Sequence, residues 1–207
     1  MILERIAPRG WTDCLVAATG PSLTAAVAAQ CHGSRILAVN DAYRRLPFAD
    51  VLYAGDADWW EVHGGCPGFA GEKWTAHHRR GNDKAAIADR YGLRVVAGAD
   101  GEGFSRDPAR IHYGGSSGFQ AINLALLFGA QTIRLVGFDM RVPAGQPRHF
   151  FGNHPAPLHN VSKYEHFLGA FRAAARRLPA GVRIINCTPG SALTCFEMGA
   201  LEAPVAV

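Results

Sequence analysis

The sequence predicts an α/β protein with a single domain built on a doubly wound, mostly parallel, Rossmann-like sheet. The chain has 207 residues, of which 48% are apolar and 18% are charged. This composition suits one domain with a substantial core and excludes a disordered chain. Short β-type runs alternate with longer helical patterns, as they do in successive βα units. Glycine-rich and proline-rich stretches fall between these elements and show no period.

The elements follow from period, length and flanking glycine or proline. Five apolar runs are expected as strands of one sheet: Cys14–Ala18, Arg35–Val39, Asp50–Ala54, Thr132–Gly137 and Val182–Cys187. Two shorter runs, Lys73–Ala76 and Leu93–Ala97, are further candidates. Helical patterns cover Pro21–Gln30, Asn82–Tyr91, Ser116–Phe128, Ser162–Leu178 and a short segment near Ser191–Met198. The stretch 141–158 is too long for a simple connection, so we expect a site loop or lid there.

Charge and cysteine content narrow the function classes. The net charge is +4, and no run of Lys or Arg is longer than two residues, so a nucleic-acid surface is not supported. No apolar run approaches the roughly 18 residues that a membrane span needs. The five cysteines form no CxxC pair, which favours free thiols in a reducing compartment. We therefore expect a soluble, cytoplasmic protein, and the sequence leaves its oligomeric state open.

Two glycine-containing loops precede predicted helices and could bind an anion. The first strand is followed by Thr19, Gly20 and Ser22, and the stretch Gly114–Gly118 leads into the helix predicted from Ser116. A helix start at the carboxyl edge of a parallel sheet offers free N–H groups and a positive dipole end to a phosphate. An ordinary tight turn in the first loop and a plain serine N-cap in the second are the structural alternatives.

Polar residues also follow the other predicted strands. Asn40 and Asp41 follow the second strand; Asn40 could bind a base or ribose, and Asp41 could cap the next helix. Asp56, after the third strand, opens an Asp-x-Asp pattern, and Asp139 follows the strand ending at Gly137. Such carboxylates could hold Mg²⁺, or could simply cap helices.

The loop that follows Arg148 contains His149, His154 and His159. Histidine is the side chain best suited to act as a general base near neutral pH. The spacing of the three histidines fits no single helical face and is irregular for a zinc site. Surface histidines, one of them capping the following helix, are the structural alternative.

The order of these motifs resembles the bacterial α2,3/α2,8-sialyltransferases and the wider sialyltransferase-like Rossmann group. That group includes 6-hydroxymethylpterin diphosphokinases and uncharacterised bacterial and phage proteins. The matching stretches are ATGPSL (Ala18–Leu23), VND (Val39–Asp41), SSGFQAINLALLFGAQTIRLVGFD (Ser116–Asp139), the histidine loop and INCTPGSAL (Ile185–Leu193). Together they span most of the chain. The chain has Thr19 where these enzymes carry Asn, and Met140 where they carry a Tyr that assists the leaving phosphate; Arg141, Arg148 and His149 are candidates to replace that Tyr.

The resemblance implies a set of site residues. His159 would be the catalytic base, with His154 as the second candidate. The nucleotide-binding residues would be Thr19, Gly20, Ser22, Asn40, Ser116, Ser117, Gly118 and, at the base end, Pro189, Gly190 and Ser191.

The sequence leads to one main hypothesis and two alternatives. The main hypothesis is an inverting glycosyltransferase that takes a CMP-sugar-like donor and a small-molecule or glycan acceptor and requires no cofactor. The first alternative is a diphosphokinase-like enzyme that needs Mg²⁺ at Asp56 or Asp139. The second is a phage-associated nucleotide-binding protein without catalysis.

Overall fold

A computed structural model describes residues 2–77, 84–142, 145, 147–156, 158 and 163–201. Nine strands form one sheet: β1 (Asp13–Ala17), β2 (Ile36–Val39), β3 (Val51–Tyr53), β4 (Glu72–His77), β5 (Arg94–Ala99), β6 (Arg110–His112), β7 (Thr132–Val136), β8 (Arg183–Asn186) and β9 (Glu197–Met198). Five α-helices are α1 (Ala25–Gln30), α2 (Ala57–Val62), α3 (Lys84–Tyr91), α4 (Ser117–Leu127) and α5 (Tyr164–Ala175). A 3-10 helix covers Asn40–Arg44.

The strand order is β6-β5-β4-β3-β2-β1-β7-β8-β9, and every pairing is parallel. The chain runs outward from β1 to β6, returns through α4, and continues outward from β7 on the other side of β1. The strand order therefore reverses between β1 and β7, which makes a topological switch point. This arrangement confirms the predicted doubly wound fold, with all five strongly predicted strands in one sheet.

Apolar layers cover both faces of the sheet. Alternate residues of β1 point to opposite sides: Cys14 and Val16 join the layer that contains α4 and α5, whereas Leu15 and Ala17 join the layer of α1, α2 and α3. This explains why the central strands β1, β2 and β3 are nearly continuous apolar runs and do not alternate between apolar and polar residues. None of the helices in the described residues has the length and apolar character that a bilayer crossing requires.

Two predicted elements need correction. Helix α1 begins at Ala25, not at Pro21, because the Thr24 hydroxyl accepts a hydrogen bond from the Val27 amide and caps the helix there. The segment predicted as a helix near Ser191–Met198 contains turns and strand β9. In that segment the Leu193 amide donates to the Ser191 hydroxyl and the Leu193 carbonyl accepts from Asn186, so side chains occupy backbone groups that a helix would use.

The other differences are smaller. Strand β6 was not predicted, and its three residues are too few to show a period. Helix α5 spans Tyr164–Ala175 within the predicted Ser162–Leu178. The predicted N-cap Asn82 and the candidate base His159 lie outside the described residues.

Candidate functional site

A cleft of about 270 Å³ opens at the carboxyl edge of the sheet, beside the switch point between β1 and β7. Its walls come from the ends of β1, β2 and β7, from the starts of α2, α4 and α5, and from the histidine loop. Nine predicted site residues line it: Thr19, Gly20, Asn40, Asp56, Ser116, Ser117, Gly118, Asp139 and His154.

The turn after β1 is fixed to the end of β7. The Ser22 hydroxyl donates to Asp139 Oδ2 at 2.7 Å, and the Ser22 amide donates to Asp139 Oδ1 at 3.2 Å. Burial raises the pKa of Asp139, and the hydrogen bonds from Ser22 offset part of this rise. Gly20 leaves just enough room for the carboxylate, because a Cβ at this position would overlap it. Ser22 therefore joins two walls of the cleft and is not among its lining residues.

The start of α4 forms the opposite wall. The Ser116 hydroxyl caps the helix by accepting from the Phe119 amide at 3.3 Å. The Ser117 hydroxyl accepts from the Gly55 amide at 3.1 Å and so connects α4 to the end of β3. The amides of Ser117 and Gly118 lie in the first turn, where helix geometry provides no intrahelical acceptor. Both residues line the cleft, and these N–H groups with the helix dipole suit an anion.

Asn40 contributes a hydrogen-bond acceptor from the end of β2. It has a left-handed backbone conformation, with φ of 49°, which asparagine tolerates better than most residues. Its Oδ1 is buried and has no hydrogen-bond partner among the described residues. A buried amide oxygen at a cleft wall is suited to accept a hydrogen bond from a bound ligand.

His149 is held against the turn after β1. Its Nδ1 lies 2.9 Å from the Thr19 hydroxyl, and the Phe150 amide next to it donates to the Thr19 carbonyl at 3.0 Å. The His149 ring stacks on Phe151 with centroids 5.0 Å apart. Burial, with repulsion from His154 as a smaller contribution, lowers the pKa of His149 to about 4. The ring is therefore neutral at physiological pH and can exchange a hydrogen bond without carrying charge.

Asp41 lies behind the cleft and is only 2% exposed. The sequence suggested that Asp41 could cap the next helix, but Asp41 is not a helix cap in the structure. Instead, its Oδ2 accepts from the Trp59 indole at 2.9 Å, and its Oδ1 lies 3.0 Å from His63 Nε2. Burial alone would raise the pKa of Asp41, but these two hydrogen bonds outweigh burial and lower it. The same pairing raises the pKa of His63 against the opposing effect of burial.

Several lining residues were not predicted as ligand-binding residues. They are Trp59, Met140, Arg148, His149, Tyr164 and Phe167, while Asp58 was considered only as the second carboxylate of the Asp-x-Asp pattern. Arg148 was considered only as a replacement for the family's tyrosine, and His149 also as one of the three loop histidines suited to act as a general base. Nothing in the sequence indicated that Tyr164 lines a site, because it belongs to the apolar face of a predicted helix. Met140, like Asn40, has positive φ (50°), and strained residues of this kind cluster at functional sites.

The predicted base-end residues have other contacts. Pro189, Gly190 and Ser191 are not among the described residues that line the cleft. The Ser191 hydroxyl donates to the Phe138 carbonyl at 2.5 Å and so supports the loop after β7 from behind. Gly190 lies next to the Arg141 guanidinium.

Asp56 and Asp139 both line the cleft, as the magnesium alternative requires. Both carboxylate oxygens of Asp139 already accept hydrogen bonds from Ser22. In the described part of the chain, no three His, Cys, Asp or Glu side chains are grouped closely enough to hold a metal ion.

Comparison with known proteins identifies the fold. No protein-family model and no curated protein matches the sequence. Among solved structures, the chain is similar to the MAf glycosyltransferase from Magnetospirillum magneticum AMB-1, with a TM-score of 0.63 and 16% sequence identity. The match covers 97% of this chain and 35% of the glycosyltransferase chain, so this chain spans about a third of that protein's length. This likeness shows a glycosyltransferase-like fold, and it does not distinguish the sialyltransferase group.

Proposed function

We propose that this chain is a nucleotide-dependent transferase, specifically an inverting glycosyltransferase that takes a CMP-sugar-like donor. The observation that carries the proposal is the composition of the switch-point cleft. It combines the first-turn residues of α4, Arg148 with two histidines, and the acceptor oxygen of Asn40. The fold shared with a glycosyltransferase supports the same reading.

The donor's phosphate would lie against Ser117 and Gly118, and its ribose or base against Asn40. A histidine of the loop would accept the proton of the acceptor hydroxyl while the hydroxyl oxygen bonds to the anomeric carbon. The bond between that carbon and the phosphate oxygen breaks in the same step, and its electron pair stays on the departing nucleotide. The resemblance assigns the proton transfer to His159, and His154 is the candidate that lines the described cleft. The α4 dipole and Arg148 would stabilise the charge on the leaving group.

A binding experiment tests the donor class. Isothermal titration with CMP, CDP, UDP, GDP and ATP, each with Mg²⁺ and with EDTA, should identify a cytidine nucleotide that binds without Mg²⁺. Arg148→Gln should weaken this binding about tenfold, since a charge-assisted contact to phosphate is lost. Arg106→Gln is the matched control, because Arg106 lines a separate cavity formed with Pro179 and Val182.

Two results would contradict the proposal. Binding of ATP alone, and only with Mg²⁺, would favour the diphosphokinase alternative. Binding of a nucleotide without transfer or hydrolysis of any corresponding nucleotide sugar would favour a non-catalytic nucleotide-binding protein.

A further inference from the structure

Two hydrogen-bond acceptors line the cleft at the ends of neighbouring strands. Asn40 directly follows β2, and Asp56 lies three residues after the end of β3. The two strands pair in parallel with Val39 opposite Tyr53, and paired strands lie about 5 Å apart. Both residues line the cleft. They therefore form one part of its wall, which we call the Asn40–Asp56 pair.

Neither acceptor of the pair has a donor among the residues that the structure describes. Asn40 Oδ1 is buried and makes no hydrogen bond. Asp56 precedes α2, but its side chain caps no amide of that helix, and it forms no hydrogen bond or ion pair with any described residue. A buried acceptor that lacks a donor costs free energy. A ligand that brings donors to this wall would remove that cost.

The chemistry of the pair is opposite to that of the α4 start. A carboxylate and an amide oxygen can only accept hydrogen bonds. A nucleotide phosphate also accepts and is negatively charged, so the Asp56 carboxylate repels it, and the first-turn amides of α4 suit it instead. Two adjacent hydroxyl groups offer two donors to two acceptors. Carboxylates at strand ends bind ribose hydroxyls in this way in dinucleotide-binding folds.

The pair lies next to the proposed phosphate position. The Ser117 hydroxyl accepts from the Gly55 amide at 3.1 Å, and Gly55 directly precedes Asp56. In a nucleotide, a single methylene group and one oxygen separate the ribose ring from the phosphorus. A phosphate at the α4 start therefore brings the ribose close to Asn40 and Asp56.

We propose that the Asn40–Asp56 pair binds two adjacent hydroxyl groups of the donor and so determines specificity for them. This inference rests on the proposed function and deepens it. Asp56 accepts from a hydroxyl of the substrate, where the magnesium alternative gives it a metal ion. The ribose 2′,3′-diol is the nearer source of such hydroxyls, and the transferred sugar is the other part of the donor that carries them.

The first arm of the test compares CMP with 2′-deoxy-CMP by isothermal titration in EDTA. The unaltered protein should bind CMP about tenfold more tightly, because loss of one hydroxyl leaves an acceptor without a donor. Asp56→Ala should bind the two nucleotides with affinities within about twofold of each other, since the group that distinguishes them is gone. Asn40→Gly should lose the discrimination in the same way, and glycine retains the left-handed backbone of this position.

Asp100→Ala is the matched control. Asp100 directly follows β5 at the same edge of the sheet and is not among the described residues that line the cleft. The substitution removes the same charge as Asp56→Ala. It should leave the ratio of the CMP and 2′-deoxy-CMP affinities unchanged.

The second arm distinguishes the two sources of the hydroxyls. It compares a CMP-sugar with CMP, without a glycosyl acceptor, in the unaltered protein and in Asp56→Ala. If the ribose supplies the hydroxyls, the ratio of the two affinities is the same in both proteins. If the transferred sugar supplies them, CMP and 2′-deoxy-CMP bind equally, and Asp56→Ala weakens only the CMP-sugar, by about tenfold.

The outcomes separate this inference from the proposed function. Affinity ratios that Asp56→Ala and Asn40→Gly leave unchanged in both arms would overturn the inference while the proposed function stands. Discrimination that appears only with Mg²⁺ would assign Asp56 to a metal ion and would also overturn it. Discrimination in EDTA without transfer of any nucleotide sugar would refute the proposed function and support the role of the pair. Failure of every nucleotide to bind would overturn both.

Discussion

Gly20 shows how one residue joins two loops of the cleft. The sequence suggested that this glycine lets a phosphate approach the backbone. The structure shows that its own chain makes the close approach: a Cβ at position 20 would overlap the Asp139 carboxylate and lie 2.6 Å from the Gly137 carbonyl oxygen. The absence of a side chain is therefore needed before any ligand binds.

Gly20→Ala should consequently destabilise the protein by about 1–3 kcal/mol, the usual cost of forcing extra atoms into a tight contact. It should also weaken nucleotide binding, because the Ser22–Asp139 connection must shift. Urea denaturation and titration calorimetry would measure the two effects. Gly68→Ala is the control, since a Cβ there meets nothing within 4 Å. Equal stability of the two variants would contradict this account.

His149 makes the stability depend on pH in a defined direction. Its folded pKa of about 4 lies below the ordinary value of 6.5, so the unfolded chain binds the proton more readily. Stability from this residue is complete above pH 6.5 and is lost as the pH falls toward 4. Because the ring is partly exposed, we expect the loss between pH 7.5 and 5 to be about 1 kcal/mol.

The measurement is the unfolding free energy of the unaltered protein and of His149→Gln at pH 7.5, 6 and 5. The difference between the two proteins isolates His149 from His63, whose raised pKa acts in the opposite direction. A difference that stays constant over this range would show that His149 does not titrate as the structure indicates.

The sequence identified residues at strand ends but not their partners. Thr19, Asn40 and Asp139 were placed at one sheet edge because parallel strands share that edge. The pairing of Asp41 with Trp59 and His63 could not be predicted, since it depends on how α2 lies against the 3-10 helix. Histidine type alone could not rank His149, His154 and His159 either, because the pKa of a histidine depends on its burial and on neighbouring charges.

At the level of elements, α4 was the most predictable part of the site. Its long apolar pattern and the serines before it indicated both the helix and its cap, and Ser116 is the N-cap. The turn before α1 was misread because Pro21 is a common first-turn residue. Contacts from Asp139, more than a hundred residues away, hold that turn outside the helix.

Two substitutions separate the capping of α4 from the phosphate binding proposed at the start of this helix. Ser116→Ala removes the cap and should cost about 1 kcal/mol of stability. Ser116→Asp retains a good cap and a favourable charge at the helix start, so its stability should equal or exceed that of the unaltered protein. If phosphate binds beside this helix, the added negative charge should weaken nucleotide affinity at least tenfold. Denaturation measures the stability of the two variants, and calorimetry measures their nucleotide affinity. An unchanged affinity in Ser116→Asp would place the phosphate elsewhere.

At the level of the whole molecule, the order of strands creates the cleft. The loop after β1 leads outward through β2, and the loop after β7 leads outward through β8, so they diverge and leave space between them. Alternation of strands and helices in the sequence predicted a doubly wound sheet. It could not give the strand order or the short edge strands β6 and β9, because those depend on contacts between distant segments.

Hydrogen exchange tests whether this cleft is where a nucleotide binds. A bound nucleotide would bridge loops that reach the cleft from both halves of the sheet, so it should slow exchange of amides at Thr19–Gly20, Ser117–Gly118 and residues 148–154 together. Amides of β6 and β9, at the two edges of the sheet, should be unaffected because no ligand contact reaches them. For the loop amides, the free energy of local opening obtained from exchange should rise with nucleotide concentration as RT ln(1 + [L]/Kd), since the ligand binds only the closed loops. Protection centred on Phe104, Leu127 and Val182, which line the separate cavity, would place the ligand there and refute the switch-point site.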